Sequence, residues 1–372
     1  MLPVLDPTGV WLGRVEVGGT GPAVVTVRDG SVVDITSKDA PTTRDVLERA
    51  DAADFVKNCE GTPLGSVSKI AEARCWLAPC DFQAIKACGV TFAGSMVERV
   101  IEEQAAGDPV KAFSIRGRIA ARIGEDLSTV IPGSEEARKV KAALKEDGLW
   151  SQYLEVGIGP DAEVFSKAQV LSAVGFGTDV GLHPSSTWNN PEPEIVLAVT
   201  SQGEIKGATL GNDVNLRDIE GRSALLLSKA KDNNASCAIG PMIRLFDEHF
   251  TLDCVRKAEL ELRVVGLDGF ELLGYSSMNQ ISRDPSDLVG QTIGRHHQYP
   301  DGLMLFLGTL FAPTQDRDTP GEGFTHKLGD VVSISCPELG QLLNTVQLST
   351  ECPRWTFGAT ALMRNLAKRN LL

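Results

Sequence analysis

Two β-rich runs on either side of a short turn constrain the fold of this chain more than any other feature. Residues 194–200 and 205–211 are rich in side chains that favour strands, and residues 202–203, Gln-Gly, are typical of a turn. A turn this short between two such runs predicts an antiparallel hairpin. If 202–203 form the loop, Ser201 pairs with Glu204, and this pairing determines the register of both strands.

That register brings three carboxylates together at the open end of the hairpin. Glu192 faces Asp213, and Glu194 lies two residues along the same face. Like charges in such positions destabilise a sheet, so the group needs shifted pKa values or a cation. Three carboxylates with room for water suit Mg²⁺, or Mn²⁺ as a substitute. The alternative is a solvated hairpin end, which a one-residue slip in register would produce.

Composition narrows the class of protein. The 372 residues carry 36 Lys and Arg against 49 Asp and Glu, a formal charge of −13, which argues against a nucleic-acid binder. No apolar run is long enough for a transmembrane helix, and the first residues lack the features of a signal peptide. The eight cysteines are too sparse for a disulfide scaffold. We therefore expect a cytoplasmic protein with reduced cysteines and no membrane partner.

The pattern along the chain predicts an α+β fold. Short strands and a helix indicate a small β-rich N-terminal domain over 1–82, followed by a catalytic domain over 83–372. Helical periodicity over about 91–148, which includes amphipathic segments at 110–123 and 134–147, indicates an inserted lid. Strands that follow one another without regular helices favour a mixed or antiparallel sheet. Strand patterns after the lid lie at 194–200, 205–211, 259–265, 270–275, 303–307 and 330–335.

The first predicted lid helix carries polar side chains on one face. Its apolar residues form a stripe, while Ser95, Glu98 and Glu102 fall together on another face by helical spacing. A solvated helix surface would give the same pattern. Spacing alone does not decide between a role for Glu98 and a role for Glu102.

Two cationic residues follow the hairpin. Arg217 lies four residues after Asp213, and Lys231 follows a short predicted helix. Either could bind a substrate carboxylate beside a metal, and either could be an ordinary surface cation. A glycine-rich run at 175–181 has the wrong spacing for a dinucleotide fingerprint. The adjacent His296 and His297 would point apart, so they do not indicate a joint metal site.

Around these residues the chain resembles the fumarylacetoacetate hydrolase superfamily. The family places a Glu-x-Glu before a strand, then a glycine-to-aspartate segment, a lysine and a Gly-Pro. The same order recurs here, and the family's later loop and glycine-rich ending also have counterparts. The matching residues are Glu192-Pro193-Glu194, Gly207 to Asp218, Lys231, Gly240-Pro241, Leu307 to Leu310, Gly329 to Val332 and Gly340 to Val346.

The resemblance implies a mixed β-roll, usually as a homodimer, with a helical lid. It implies Mg²⁺ on Glu192, Glu194 and Asp213, and a substrate pocket lined by Lys231 and Thr309. Hydrolases of the family use a lid His and Glu as acid and base. Here Ser95 stands at the His position while Glu98 is retained, which points to the sugar-acid branch of the superfamily.

The function implied is dehydration of a 2-keto-3-deoxy-pentonate of the xylonate or arabinonate type. Glu98 would remove the C3 proton to form an enolate beside Lys231 and Mg²⁺, and the C4 hydroxyl would then leave. Ser95 and Arg217 would position the substrate, and 2-oxoglutarate semialdehyde would be the product. Two alternatives stay open: an acylpyruvate or fumarylpyruvate C–C hydrolase, and a non-catalytic protein that binds keto acids.

Overall fold

A computed structural model describes residues 3, 5–116, 130–146, 148, 150–309, 311 and 313–372 of the chain. Among these residues, no helix combines the length and the apolarity that crossing a bilayer requires. The predicted helix at 110–123 is helical as far as Arg116, and its remaining residues lie outside the described part.

A large mixed sheet forms the centre of the molecule. Eleven of the described strands belong to it, in the order β4-β3-β2-β1-β11-β10-β9-β14-β6-β7, and β5 pairs with β1. Only β14 and β6 pair in parallel among these neighbours. Its strands are β1 (Trp11–Val17), β2 (Gly21–Arg28), β3 (Ser31–Asp34), β4 (Thr62–Ser66), β5 (Trp76–Leu77), β6 (Ala84–Gly89), β7 (Glu163–Ala168), β9 (Pro193–Val199), β10 (Ile205–Asp213), β11 (Cys237–Leu245) and β14 (Leu303–Phe306).

A second, five-stranded sheet packs against the first. Its order is β13-β12-β15-β16-β8, with β16 and β8 parallel and the other neighbours antiparallel. Buried and exposed residues alternate along β12 and β13, as expected for strands with one face in the core. The strands are β8 (Asp179–Leu182), β12 (Glu259–Val265), β13 (Glu271–Ser277), β15 (Val331–Cys336) and β16 (Gly340–Leu348).

Short helices surround the two sheets. One of the two longest, α4, buries Met96, Val100 and Ile101 against neighbouring lid helices, so the predicted apolar stripe faces a core. Residues 109–116 form a further helical segment. The helices are α1 (Thr43–Leu47), α2 (Ala52–Asn58), α3 (Val67–Glu72), α4 (Ala93–Gln104), α5 (Glu135–Glu146), α6 (Gln152–Ile158), α7 (Arg217–Glu220), α8 (Leu227–Lys231), α9 (Leu252–Val255), α10 (Pro285–Thr292) and α11 (Ala359–Lys368), with 3₁₀ turns at Ala224–Leu226 and Met278–Gln280.

Strands β9, β10 and β11 are buried almost throughout, because both faces of the large sheet are covered. Ile195 and Leu197 of β9 join a core that includes residues of the second sheet. Val196 and Ala198 join another core that includes α1 and α2. These layers hold the end of the β9–β10 hairpin rigidly.

The predicted α+β class with mixed sheets is confirmed. The N-terminal strands add to the large sheet, since Trp11 of β1 pairs with Arg244 of β11. The division into domains at residue 82 stays a prediction.

Candidate active site

The register at the open end of the hairpin agrees with the sequence prediction. Glu194 of β9 faces Gly211 of β10, and the backbone N–H of Asp213 donates to the carbonyl of Glu192 at 3.0 Å. The carboxylate oxygens of the trio lie within 4.8 Å of one another. Glu192, Glu194 and Asp213 therefore form one group, called here the carboxylate centre.

The turn of the hairpin differs from the prediction by one residue. The N–H of Thr200, and not that of Ser201, donates to the carbonyl of Glu204 at 2.9 Å. A register shift next to Lys206 adds one residue to β10 and restores the predicted pairing further along. A bulge of this kind displaces the pairing locally, so the error at the turn does not reach the carboxylates.

All three carboxylates are buried, with 5% or less of each residue exposed. Burial, followed by the charges of Asp213 and Glu192, raises the pKa of Glu194 well above its ordinary value. Burial would also raise the pKa of Asp213, but two lysines outweigh it and lower that pKa. The Glu194 carboxylate also accepts the backbone N–H of Gly308 at 2.6 Å. Among the described residues, Glu194 is thus the member of the centre that has no ion-pair partner.

Two buried lysines contact the carboxylate centre. The Nζ of Lys231 lies 2.5 Å from Glu192 and 3.0 Å from Asp213. The Nζ of Lys167 forms an ion pair with Asp213 at 2.8 Å and also donates to the backbone carbonyl of Lys231. Lys231 was predicted in the pocket. Lys167 was missed, because nothing in the local pattern of β7 marks a lysine that is fully buried.

The three polar residues predicted on one face of α4 all line the same pocket as the carboxylate centre. The Ser95 hydroxyl donates to the carbonyl of Phe92 at 2.8 Å. Glu98 is partly buried and accepts two hydrogen bonds from Arg116, at 2.9 and 2.8 Å, and one from Arg217 at 3.2 Å. Its negative charge is therefore shared by two guanidinium groups.

Arg99, which the sequence analysis did not single out, joins the lid to the centre. Its guanidinium lies 2.5 Å from Glu192, 2.7 Å from Glu102 and 2.9 Å from Glu220. Burial would raise the pKa of Glu102, but the charges of Arg217 and Arg99 lower it. The pKa of Glu220 is raised by burial despite Arg99. Helical spacing from Ser95 and Glu98 does not reveal Arg99, because two of its three acids, Glu192 and Glu220, come from distant segments.

Arg217 and Thr309, both predicted to contact substrate, line the pocket. The guanidinium of Arg217 stacks on Trp188 at 4.3 Å and donates to Glu98, to Glu102 and to the carbonyl of Pro313. These contacts suit an arginine that holds the lid in place. The Thr309 hydroxyl accepts the N–H of Phe311 at 3.1 Å.

Glu163 is a lining residue that the sequence analysis missed. It opens β7 and pairs with Gly89, the last residue of β6 before the lid. Burial and the nearby Glu220 carboxylate raise its pKa to about 7. The pairing of two strands distant in sequence brings it to the pocket, so a pattern within one segment could not reveal it.

The pocket is strongly acidic. Among its described lining residues, seven carboxylates stand against three cationic side chains. An excess of buried carboxylates favours a divalent cation, and three of them have oxygens close enough to share one ion. The lining acids are Glu98, Glu102, Glu163, Glu192, Glu194, Asp213 and Glu220, and the cations are Arg99, Arg217 and Lys231.

Comparison with known proteins agrees with this arrangement. Residues 168–347 match the family model described as Fumarylacetoacetate (FAA) hydrolase C-terminal. The chain is 32% identical over 216 residues to the probable 2-keto-3-deoxyxylonate dehydratase of Haloferax volcanii, across 57% of this chain and 68% of that protein. The chain belongs to the fumarylacetoacetate hydrolase family.

A second relative in the family is the 2-dehydro-3-deoxy-D-arabinonate dehydratase of Saccharolobus solfataricus. It is 32% identical over 188 residues, which is 50% of this chain and 58% of that protein. The match thus spans less than two thirds of the Saccharolobus protein. Both relatives are named as dehydratases, which are hydro-lyases, and the predicted lyase class agrees with these names.

Solved structures in the family share the fold. An apo 2-keto-3-deoxy-D-arabinonate dehydratase matches with a TM-score of 0.65 at 21% identity, over 91% of this chain and 99% of that one. A second structure of that dehydratase, complexed with magnesium and 2,5-dioxopentanoate, matches with a TM-score of 0.64 at 21% identity over the same shares. The expected family β-roll is thereby confirmed.

Proposed function

We propose that this protein is a Mg²⁺-dependent lyase that dehydrates a 2-keto-3-deoxy-pentonate to 2-oxoglutarate semialdehyde. One observation supports the proposal most strongly: the buried carboxylate centre lies beside Lys231 in the pocket. Two relatives of this chain are named as sugar-acid dehydratases. The reaction removes a C3 proton and the C4 hydroxyl, so that one water leaves for each substrate. The unsaturated keto acid that forms then loses a C5 proton and gains one at C3, which gives a C4=C5 enol, and this enol tautomerises to the aldehyde.

The donor set fits Mg²⁺, with Mn²⁺ as a substitute. Glu192, Glu194 and Asp213 would hold the ion, since all-oxygen carboxylate sites suit these cations. When bound, the ion would act as a Lewis acid that stabilises negative charge on the keto oxygen of the substrate.

Lys231 is proposed to stabilise the same developing charge. Its ammonium is buried, and Asp213 and Glu192, which outweigh the burial, raise its pKa and hold it protonated. A fixed cation in a site of low dielectric stabilises an enolate more than a solvated one would. Thr309 is proposed to bind the substrate, while Arg217 positions the lid through Glu98 and Glu102.

Two carboxyl groups are candidates for the acid and base. Glu98 is the residue predicted from the sequence, and Glu163 is a second candidate that its position in the pocket supports. A carboxyl with a pKa near 7 can accept the C3 proton and return it to the leaving hydroxyl at neutral pH. Glu102 suits a structural role, because its lowered pKa keeps it ionised between two arginines.

Ser95 supports dehydration over C–C hydrolysis. A hydroxyl that donates to the Phe92 carbonyl is a poor general base, so this position offers no direct means to activate water. We propose that Ser95 positions a substrate hydroxyl.

A substrate panel tests the proposal. Purified protein with Mg²⁺ is incubated with keto-deoxy-pentonates and, separately, with acylpyruvates, and the loss of each acid and the gain of semialdehyde are followed. We expect only the pentonates to be consumed and EDTA to stop the reaction. Consumption of acylpyruvates would instead support the hydrolase, and tight binding without turnover would support a non-catalytic binding protein.

The remaining expectations stay predictions. These are a cytoplasmic location and a homodimer or larger homo-oligomer. Light scattering of the purified protein measures the second.

A further inference from the structure

One buried acceptor in the pocket has no partner among the described residues. The side chain of Asn190 is 1% exposed, and its Nδ2 donates to the carbonyl of Pro191 at 2.9 Å. That bond identifies the amide nitrogen, so the opposite atom is the carbonyl Oδ1. The Oδ1 is buried and has no hydrogen-bond donor. Buried acceptors are rarely left unpaired, because the loss of water costs free energy.

The strand pairing places this acceptor beside the carboxylate centre. Asn190 lies two residues before Glu192, and its backbone exchanges two hydrogen bonds of 3.0 Å with Asn215. Residues two apart on a strand share a face, so Asn190 continues the row of Glu192 and Glu194. It also lines the pocket directly. The residue that carries the unpaired Oδ1 therefore lines the pocket of the carboxylate centre.

The chemistry of the acceptor selects the part of a ligand that it can bind. An amide carbonyl accepts hydrogen bonds and donates none. The carboxylate and keto group of a 2-keto acid also only accept, so they offer nothing to Oδ1. The hydroxyl groups of a sugar acid do donate. Among the described lining residues, Asn190 is the one carboxamide, and the other side-chain acceptors are mostly carboxylates held by lysine or arginine.

We propose that Asn190 is a specificity-determining residue whose Oδ1 accepts a hydrogen bond from a hydroxyl of the substrate. The inference rests on the proposed function and adds to it the means by which a hydroxylated keto acid is preferred over a plain one. A pocket built to bond a hydroxyl discriminates against a ligand that lacks it, because the buried acceptor then stays unpaired.

Two ligands of equal chain length test the proposal. The first is the 2-keto-3-deoxy-pentonate, and the second is 2-oxopentanoate, which lacks both hydroxyls. With Mg²⁺ present, KM is measured for the first and the competitive inhibition constant for the second. In Asn190→Ala we expect KM to rise roughly 10- to 100-fold, while the inhibition constant of 2-oxopentanoate changes less than about twofold.

Two further variants separate recognition from structure. Asn190→Leu keeps the volume without the acceptor and should show the same selective loss if Asn190→Ala folds poorly. Asn189→Ala is the matched control, because the neighbouring amide already accepts the N–H of His326 and donates to Ser186. We expect Asn189→Ala to lower the melting temperature. The ratio of KM for the pentonate to the inhibition constant of 2-oxopentanoate should stay unchanged.

The results separate the inference from the proposed function. Equal weakening of both ligands in Asn190→Ala and Asn190→Leu would overturn the inference while the activity stands. So would a loss confined to Mg²⁺ affinity, measured by calorimetry without keto acid, since Asn190 would then serve the ion. If the wild-type protein binds both acids equally, the proposed preference for sugar acids is itself wrong, whatever the Asn190 variants show.

Discussion

Two buried groups of charged side chains, one at the open end of the β9–β10 hairpin and one in the segment before β15, differ in their charge balance. In the segment before β15, Arg317 lies 2.6 and 2.8 Å from the two oxygens of Asp330, and His326 lies 3.1 Å from one of them. Burial would raise the pKa of Asp330, but these hydrogen bonds lower it to about 2. In the carboxylate centre, Glu194 instead has a raised pKa.

The difference separates a structural group from a functional one. A carboxylate matched by its own arginine is satisfied and gains nothing from a ligand. Carboxylates in excess raise one another's pKa and favour a cation, and such groups are concentrated at active sites. Substitutions in the two groups should therefore affect different properties: activity in the carboxylate centre, and stability around Asp330.

The largest expected effect is on turnover in Glu194→Gln. The change removes one oxygen ligand and one charge from the proposed ion site, so we expect the rate with Mg²⁺ to fall by at least about 10³-fold. The melting temperature without metal should stay equal or rise, because like-charge contacts with Asp213 and Glu192 are relieved and no ion pair among the described residues is broken. Steady-state kinetics and calorimetry measure the two properties. A rate close to that of the wild type would contradict the assignment of this ligand.

Asp330→Asn should show the opposite behaviour. It leaves the buried guanidinium of Arg317 with the exposed Asp268 in place of its buried carboxylate partner, and breaking such a buried pair costs roughly 3–5 kcal/mol of unfolding free energy. Denaturant unfolding measures the loss. We expect the turnover of the fraction that stays folded to be unchanged. A stable variant with lost activity would remove the contrast between the two groups.

The two candidate bases give the next largest effect. Replacing the true base by its amide should lower the rate roughly 10²-fold or more, and replacing the other should have a smaller effect. Glu163→Gln and Glu98→Gln are matched, since both lose a carboxylate that lines the pocket. If Glu163 is the base, its variant also loses the dependence of kcat on a group with a pKa near 7. Equal, small losses in both would exclude both residues.

The carboxylate centre could be predicted from the sequence because it depends on the pairing of two strands that are neighbours along the chain. Strand alternation and a short turn were enough to place Glu192 opposite Asp213, and the later bulge at Lys206 did not disturb that pairing. The face of α4 that carries Ser95 and Glu98 was likewise predictable from helical spacing. Local periodicity therefore located the acids and the lid face.

Two of the cations, Lys167 and Arg99, and the second candidate base could not be predicted in this way. Glu163 and Lys167 reach the site only because β7 pairs with β6, and Arg99 contacts acids on three separate segments. Pairing between distant strands depends on tertiary packing, which a pattern within one segment does not encode. The addition of β1 to β11 has the same origin. The sequence thus indicated the excess acid and two of the cations, Lys231 and Arg217, but not Lys167 or Arg99.

The smallest expected effect is a pH dependence of stability that has opposite directions for Asp330 and for Glu163, which lines the pocket of the carboxylate centre. Asp330 has a folded pKa of about 2, below its ordinary 3.8. Its ion pair therefore stabilises the fold fully above about pH 4, and that contribution is lost as the pH falls toward 2. Glu163 has a folded pKa of about 7, above its ordinary 4.5. Its contribution is present below about pH 4.5 and is lost as the pH rises through 7.

Unfolding free energies of three metal-free proteins measure this difference. Between pH 4 and 2, the advantage of the wild type over Asp330→Asn should shrink by roughly 2 kcal/mol. Between pH 7 and 4.5, the wild type should gain stability relative to Glu163→Gln, because only the wild type has a carboxyl to protonate there. Parallel curves for Glu163→Gln and wild type across that range would mean that the pKa of Glu163 is not raised. The change in stability between pH 4 and 2 would still measure the ion pair of Asp330 and Arg317. The prediction for Asp330 and the prediction for Glu163 can therefore be contradicted independently.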